Sequence, residues 1–241
     1  MRSSTANRRA LASLWLCACI PAAATAGDFG GSIGVTSDYF YRGVSQSQGN
    51  PALQADLHYR SGGWSAGVWS SRADMDRDEG PASEIDLYIR RDWTLGNNWD
   101  VGVALTHYTY PDDPRTYSYD YDEVIATAGY RSRLFGTIAF SPNYTGHAQG
   151  RWAFNESATS YELTAVQPLA GKLSASAGLG YYDLPASLDA NYWFWNVGVA
   201  CSFGRALLSV AYIDTDRPRE SGYGYETVPD GQWTGSLAWR F

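Results

Sequence analysis

The sequence predicts an all-β fold: a transmembrane, antiparallel, up-and-down β-barrel of about 12 strands that follows a cleaved signal peptide. Three observations favour this fold. Short segments that alternate apolar and polar residues recur along the chain after its N-terminal region. Their connections alternate between long and tight, and aromatic residues collect at the tight-turn ends. Together these features are typical of bacterial outer-membrane barrels.

The N-terminus has the layout of a secretory signal peptide. Three arginines form a basic start: Arg2, Arg8 and Arg9. The apolar stretch Leu11–Ile20 follows, and Ala24–Ala26 supplies small residues for cleavage. We therefore predict a signal peptide at residues 1–26 and an outer-membrane barrel at residues 27–241. An alternative is lipidation of Cys19, because the residues around it loosely resemble a lipoprotein signal.

Composition excludes several other classes of protein. The chain has 241 residues, 18 Lys and Arg against 25 Asp and Glu, and a formal net charge of −7. Such an acidic chain is a poor candidate for nucleic-acid binding, so we expect no nucleic-acid partner. Outside the leader Cys201 is the sole cysteine, which excludes an internal disulfide. No later stretch approaches the ~20 apolar residues of a helical membrane span.

Twelve segments have the length or the alternation expected of membrane-crossing strands, which need about 9–11 residues when tilted. In the second segment Leu53, Leu57 and Tyr59 share one parity, and Asp56 and Arg60 share the other. The apolar parity is predicted to face lipid and the polar parity the lumen. The predicted strands are Gly31–Arg42, Ala52–Arg60, Trp64–Arg72, Glu84–Trp93, Trp99–Tyr110, Glu123–Tyr130, Leu134–Pro142, Thr159–Leu169, Leu173–Tyr182, Tyr192–Phe203, Arg205–Asp214 and Gly231–Phe241.

The connections support the barrel and give its orientation. The odd-numbered ones are long and polar: 43–51, 73–83, 111–122, 143–158, 183–191 and 215–230. The even-numbered ones are tight: 61–63, 94–98, 131–133, 170–172 and 204. Long extracellular loops and short periplasmic turns are the outer-membrane pattern, and a β-sandwich has no reason to alternate in this way. The soft strand boundaries leave ten or fourteen strands as alternatives.

Aromatic residues on the apolar parity lie at the tight-turn ends of their strands and predict a periplasmic girdle: Tyr59, Trp64, Trp93, Trp99, Tyr130, Phe203 and Phe241. The last strand also ends the chain on an apolar face that includes Trp239 and Phe241. We predict that these two residues form the signal recognised by the outer-membrane assembly machinery. The alternative for this segment is an edge strand of a secreted β-sandwich.

The first hairpin resembles a known family. The segment Val35-Thr-Ser-Asp-Tyr-Phe-Tyr-Arg-Gly-Val-Ser-Gln-Ser-Gln-Gly-Asn-Pro-Ala-Leu-Gln54 is similar to the N-terminal signature of the TorF-type porins, a proteobacterial outer-membrane family of unknown function. Glu84-Ile-Asp-Leu-Tyr and Tyr110-Pro111 resemble later landmarks of that family. The resemblance covers essentially the whole mature chain. It implies one outer-membrane barrel with a pore, and it transfers no substrate and no site residues.

Charged residues on the polar parity are the candidate pore-lining residues: Asp38, Arg42, Asp56, His58, Arg60, Glu84, Asp86, Arg90, Asp92 and Asp100. Acidic and basic groups that face each other across a pore select among permeating ions or polar solutes. We therefore predict a narrow porin for passive diffusion of small hydrophilic solutes or ions. The alternative is a plugged structural or adhesive barrel without conductance, in which these groups pair and close the interior, since twelve strands lie between the filled and the open barrel sizes.

Enzymatic chemistry has little support in the sequence. The three histidines His58, His107 and His147 are not at metal-ligand spacing, so we expect no metal, no cofactor and no catalytic residues. An outer-membrane hydrolase is the enzyme alternative, because small barrels can carry Ser/His or Asp/His groups at their rims. The expected partners are membrane lipid, lipopolysaccharide, the assembly machinery and small polar solutes. The expected location is the bacterial outer membrane.

Overall fold

A computed structural model describes residues 27–74, 82–111, 120–148, 151–185, 191–216 and 231–241, with the backbone alone at 145–148 and 151–155. The predicted signal peptide, residues 1–26, lies outside the described residues. Within these ranges no helix has the length and apolar character needed to cross a membrane. Twelve antiparallel strands form one closed barrel, and two short strands form a separate sheet.

The strands, in chain order, are β1 Asp28–Thr36, β2 Phe40–Tyr41, β3 Val44–Ser45, β4 Ala52–Ser61, β5 Trp64–Arg72, β6 Ser83–Leu95, β7 Trp99–Thr109, β8 Tyr121–Tyr130, β9 Leu134–Ala148, β10 Arg151–Pro168, β11 Leu173–Asp183, β12 Tyr192–Phe203, β13 Ala206–Thr215 and β14 Gln232–Arg240. From β4 to β14 each barrel strand pairs with its sequence neighbours, and β1 pairs with both β4 and β14. At the seam the amides of Gly31 and Phe241 each donate to the other's carbonyl at 3.0 Å. The predicted number of strands is therefore confirmed.

The exterior is apolar, and the interior carries the polar side chains. In β4, Leu53 and Leu57 are exposed, whereas Gln54 and Asp56 between them are buried. An exposed Leu57 (51% exposed) is explained by lipid contact, because alternate residues of a barrel strand face the bilayer and the lumen. The predicted facing of this strand is confirmed.

Aromatic side chains form a ring at each end of this apolar surface. At the short-turn end Phe29 and Tyr59 lie 5.0 Å apart between ring centroids, and Trp99 lies 4.9 Å from Tyr130. At the long-loop end Tyr181 lies 5.0 Å from Trp193. Such girdles mark the two membrane–water interfaces.

The first predicted strand, Gly31–Arg42, is wrong at its C-terminal end. β1 stops at Thr36, and the chain then turns into the lumen, where β2 and β3 form a small hairpin. The turn between them places both Arg42 and Gly43 at positive φ, 48° and 81°. Two successive residues at positive φ match the right-handed twist of a tight hairpin. Asp38 and Arg42 therefore lie on this hairpin and not on β1.

The predicted loop 143–158 is also wrong. β9 continues to Ala148 and β10 begins at Arg151, so the two strands are longer than a bilayer requires. Their pairing is interrupted by register shifts between Ala153 and Glu156 and between Glu156 and Ala158. The sequence misled here because strand segments beyond the membrane have no lipid-facing alternation to reveal them.

Candidate functional site

The site is the interior of the barrel, where residues 37–50 fold inward as a lumen hairpin. Its base is held by Asp38, whose Oδ1 accepts hydrogen bonds from the Ser45 hydroxyl at 2.6 Å and the Ser47 hydroxyl at 2.8 Å. Burial raises the pKa of the Asp38 carboxyl, and hydrogen bonds from both serines and from the Gly49 and Tyr39 amides oppose that rise. The Ser47 hydroxyl also accepts from the Tyr39 amide at 2.9 Å, which closes the loop upon itself.

The tip of the lumen hairpin is fixed by an ion pair. Arg42 Nη1 donates to Glu123 Oε1 at 2.8 Å, and Arg42 Nη2 donates to Glu123 Oε2 at 3.0 Å. Both side chains are buried, with 5% and 1% exposed. Arg42 Nε lies 3.7 Å from Glu162, and the guanidinium carbon lies 4.5 Å from the ring centroids of Tyr41 and Tyr182. The bidentate geometry fixes the orientation of the guanidinium as well as its position.

Tyrosines complete the polar contacts around Glu123. The hydroxyls of Tyr41 and Tyr108 donate to Glu123 Oε2 at 3.3 Å and 3.0 Å. The Tyr121 hydroxyl donates to the Tyr41 hydroxyl at 3.3 Å. The Tyr121 ring stacks on the Tyr108 ring, with 4.4 Å between the ring centroids. Glu123 therefore accepts hydrogen bonds from the hairpin and from the barrel wall together.

Apolar contacts join the lumen hairpin to different parts of the wall. Phe40 packs against Ala211 and Ile213 of β13. Further contacts lie on either side, where Val44 is clustered with Ala158, Tyr182, Leu184, Tyr192 and Phe194, and Tyr39 with Ala52 and Trp69. The hairpin therefore crosses the interior of the barrel and fills the part of the lumen that lies at the height of these contacts.

A cavity of about 710 Å³ lies within the barrel and has the hairpin residues Tyr39 to Gly43 in its lining. It extends to Asp28 and Arg240 at the short-turn end of the barrel. Five of the predicted pore-lining residues on the barrel wall contribute to it: Asp56, His58, Arg60, Asp86 and Arg90. The interior therefore combines an occupied level at the hairpin with an unfilled, charge-lined volume.

Polar contacts on the wall pair several of these charges. Asp56 contacts His58 Nδ1 at 2.5 Å and accepts a hydrogen bond from the Tyr88 hydroxyl at 2.7 Å. Arg90 Nε donates to Asp92 Oδ1 at 2.8 Å. Nearer the short turns, Asp100 accepts from the Thr94 hydroxyl at 3.0 Å. The wall thus carries neighbouring charges of both signs.

Arg42 lines the cavity from the hairpin, and the other four predicted residues, Asp38, Glu84, Asp92 and Asp100, are not part of its lining. Glu84 is 2% exposed and lies on β6, close to Tyr39 and Asp86. Asp38 forms the base of the hairpin, and Asp92 and Asp100 lie towards the short-turn ends of β6 and β7.

The histidines do not form a recognisable catalytic or metal site within the described residues. His107 Nδ1 lies 2.9 Å from Asp122 on the exposed surface, and His58 is paired with Asp56. Neither ring is hydrogen-bonded to a serine in the part of the chain that the structure describes. No group of three or more metal-ligating side chains occurs there either. The side chain of His147 lies outside the described residues.

Comparison with known proteins gives a family. The model of the bacterial family Gcw_chp, described as "Bacterial protein of unknown function", matches residues 21–241. The chain belongs to the Gcw_chp family. No curated protein matches this Gcw_chp chain.

Several solved structures are similar to this chain. A protein from work described as "Unveiling the Mechanism Behind the in-meso Crystallization of Membrane Proteins" is 10% identical with a TM-score of 0.55, over 88% of this chain and 83% of that one. A porin refined at 1.8 Å is 13% identical with a TM-score of 0.42, over 79% of this chain and 62% of the porin. Salmonella typhi OmpF, in complex with daunomycin, is 10% identical with a TM-score of 0.44, over 89% and 97%.

The likeness to the first of these structures shows the fold alone. The closed barrel, its apolar belt and its two aromatic girdles are those of a porin-like barrel, and the Gcw_chp protein is a bacterial outer-membrane protein.

Sequence reasoning missed the residues that hold the lumen hairpin. Glu123 and Glu162 form ion pairs with Arg42, and neither was among the predicted pore-lining residues. Both lie on polar positions of predicted strands, so alternation alone could have placed them in the lumen. Their pairing with Arg42 had no local signal, because it joins residues far apart in the chain.

Proposed function

We propose that this Gcw_chp protein is an outer-membrane channel for passive diffusion of small hydrophilic solutes or ions. In this proposal the lumen hairpin controls the passage of solutes through the barrel. The cavity of about 710 Å³ with charged wall residues carries this proposal. A barrel that serves only as a structural wall has no need for an unfilled interior lined by Asp56, Arg60 and Arg90. The resemblance of the first hairpin to TorF-type porins supports the same function.

The way the hairpin is attached supports a movable constriction. β2 pairs with β3, and neither short strand belongs to the barrel sheet. The hairpin can therefore shift without breaking the hydrogen-bond ladder of the barrel. Its main anchor, Arg42 with Glu123, is a buried ion pair, and such a pair contributes little net stability once desolvation is counted. Water entering a shifted conformation would solvate both charges.

The charges along the wall supply the proposed selectivity. Arg60 and Arg90 lie on the same lining as Asp56 and Asp86, so a permeating solute meets groups of both signs. Charged side chains that line a pore create a local field, which favours small polar solutes over apolar ones. The proposed route passes along this lining and the level now occupied by the lumen hairpin.

Removing the hairpin is the direct test. Thr36 and Ala52 are register partners on β1 and β4, so a short Gly–Ser turn can replace residues 38–49 without stretching the barrel. We expect the refolded wild type to show small or infrequent current steps in a planar bilayer, and the shortened variant to show larger and longer ones. A folded shortened variant, verified by heat-modifiable migration, that shows no steps would contradict the proposal.

A non-conducting barrel is the second candidate, and the packing of Phe40 against β13 and of Val44 against Phe194 favours it. The enzyme alternative is supported by two Asp–His pairs among the described residues, Asp56–His58 in the lumen and Asp122–His107 at the exposed surface. Turnover of a chromogenic ester or a phospholipid that is lost in His58→Gln would favour a hydrolase. Absence of both current and turnover, in the wild type and in the shortened variant, would leave the non-conducting barrel.

The proposal includes a route to the membrane. Residues 1–26 would be removed during export, and the assembly machinery would recognise Trp239 and Phe241. Both aromatic side chains are exposed on the lipid face of the closed barrel. The extracellular loops would then face lipopolysaccharide.

A further inference from the structure

Three cationic side chains lie over aromatic rings on the outside of the barrel, at its short-turn end. The guanidinium of Arg91 lies 5.4 Å from the Trp64 ring centroid and 5.6 Å from that of Trp93. The other two pairs are Arg131 over Tyr130 at 5.1 Å and Lys172 over Phe203 at 5.4 Å. We call Arg91, Arg131 and Lys172 the basic belt.

Arg91 is the most informative member because it lies on the lipid-facing parity of β6. Ile89 and Leu87, two and four residues earlier in the same alternation, are exposed on the apolar exterior. The guanidinium reaches towards the short turn between β4 and β5 and donates to the carbonyl of Gly62. A cation on the lipid face is stable only where its head can reach the membrane–water interface, which is what this geometry achieves.

The belt is not neutralised by the protein itself. Arg131 donates to the neutral side chain of Asn98 at 3.1 Å, and Arg91 donates to a backbone carbonyl. Within the described ranges none of the three cations forms an ion pair. Their positive charge is therefore available to an external anion.

The surroundings place that anion at the level of lipid headgroups. Trp64 is 53% exposed and belongs to the girdle that marks the interface. Arg91 lies on β6, Arg131 in the turn between β8 and β9, and Lys172 in the turn between β10 and β11, so the three cations form an annulus and not one concave pocket. An annulus of this kind fits many separate phosphates delivered by a membrane surface, whereas a single free phosphate would need converging donors.

We propose that the basic belt binds the phosphate groups of anionic phospholipids in the periplasmic leaflet of the outer membrane. The aromatic rings hold the cations at the interface, and the cations then provide donors to the lipid phosphates. The belt would fix the depth of the barrel in the bilayer. This inference rests on the membrane location of the protein and is independent of its conductance.

The test compares thermal unfolding of the barrel in two kinds of vesicle. One contains only phosphatidylcholine, and the other also contains about one quarter phosphatidylglycerol. We expect phosphatidylglycerol to raise the unfolding midpoint of the wild type. The triple variant Arg91→Gln, Arg131→Gln, Lys172→Gln should lose most of that rise while keeping the wild-type midpoint in phosphatidylcholine.

Arg72→Gln is the matched control. Arg72 is an exposed cation on the lipid-facing parity of β5, at the opposite end of the barrel from Trp64. This variant should keep the phosphatidylglycerol effect, and inorganic phosphate added to phosphatidylcholine vesicles should not reproduce it. An undiminished effect in the triple variant, or an equal loss in Arg72→Gln, would overturn the proposal. If the triple variant fails to fold, the single variants Arg131→Gln and Lys172→Gln provide the same comparison.

Discussion

Arg42 and Glu123 lie 81 residues apart in the chain, yet Arg42 Nη1 is 2.8 Å from Glu123 Oε1 inside the barrel. One side chain belongs to the lumen hairpin and the other to β8. Their contact therefore crosses the interior and connects an irregular inward segment to the regular wall. Four hydrogen bonds converge on the Glu123 carboxylate, two from the Arg42 guanidinium and one each from the hydroxyls of Tyr41 and Tyr108.

A double-mutant cycle tests whether this pair closes the lumen. Arg42→Met and Glu123→Gln should each increase the fraction of time that a single channel is open, because each removes the bidentate contact. The double variant should open no more than the stronger single variant, since groups in one contact are not additive. Planar-bilayer recordings provide the measurement. Independent, additive effects of the two substitutions would show that the pair does not act as a unit.

The base of the hairpin makes a second prediction. Asp38→Asn should keep the closed state, because an amide oxygen at Oδ1 can accept the same two serine hydroxyls. Asp38→Leu should increase channel opening and destabilise the hairpin by about 1–3 kcal/mol, because the Ser45 hydroxyl loses its acceptor and the Ser47 hydroxyl keeps only the Asn50 carbonyl. Equal open fractions in the two variants would contradict this role.

The two faces of the wall should tolerate substitution differently. Leu57→Arg places a charge in lipid and should cost about 2–4 kcal/mol of folding free energy near the bilayer midplane. Arg90→Ala changes a cavity-lining residue and should leave folding into bilayers intact while altering conductance or ion selectivity. Denaturant titration in lipid vesicles gives the first value and bilayer recording the second. Similar folding losses in both variants would refute the assigned facing.

The barrel could be predicted because its signals are local. Alternation in a strand such as β4 repeats every second residue, and the lengths of the connections show which end faces the periplasm. Each of these signals needs only a few neighbouring residues. The number of strands and the facing of Leu57 and Asp56 followed from them.

The lumen hairpin could not be predicted in the same way. Tyr39, Phe40 and Tyr41 continue the first strand without an apparent break, and the contact with Glu123 has no counterpart nearby in sequence. The one local signal is Arg42-Gly43 between Phe40-Tyr41 and Val44-Ser45, since a Gly in that position permits a tight turn. The ends of β9 and β10 escaped prediction because polar strands above the membrane resemble loops.

A reducible crosslink gives the most direct test of the lumen hairpin as the element that controls passage. Phe40 packs against Ala211 on β13, so Phe40→Cys with Ala211→Cys, in a Cys201→Ser background, can tie the hairpin to the wall. Gel migration establishes that the disulfide has formed, and the single-cysteine variants provide the controls. We predict that the oxidised channel stays closed and that adding reductant to the same bilayer restores the current steps of the controls. Conductance that is the same before and after reduction would contradict the account.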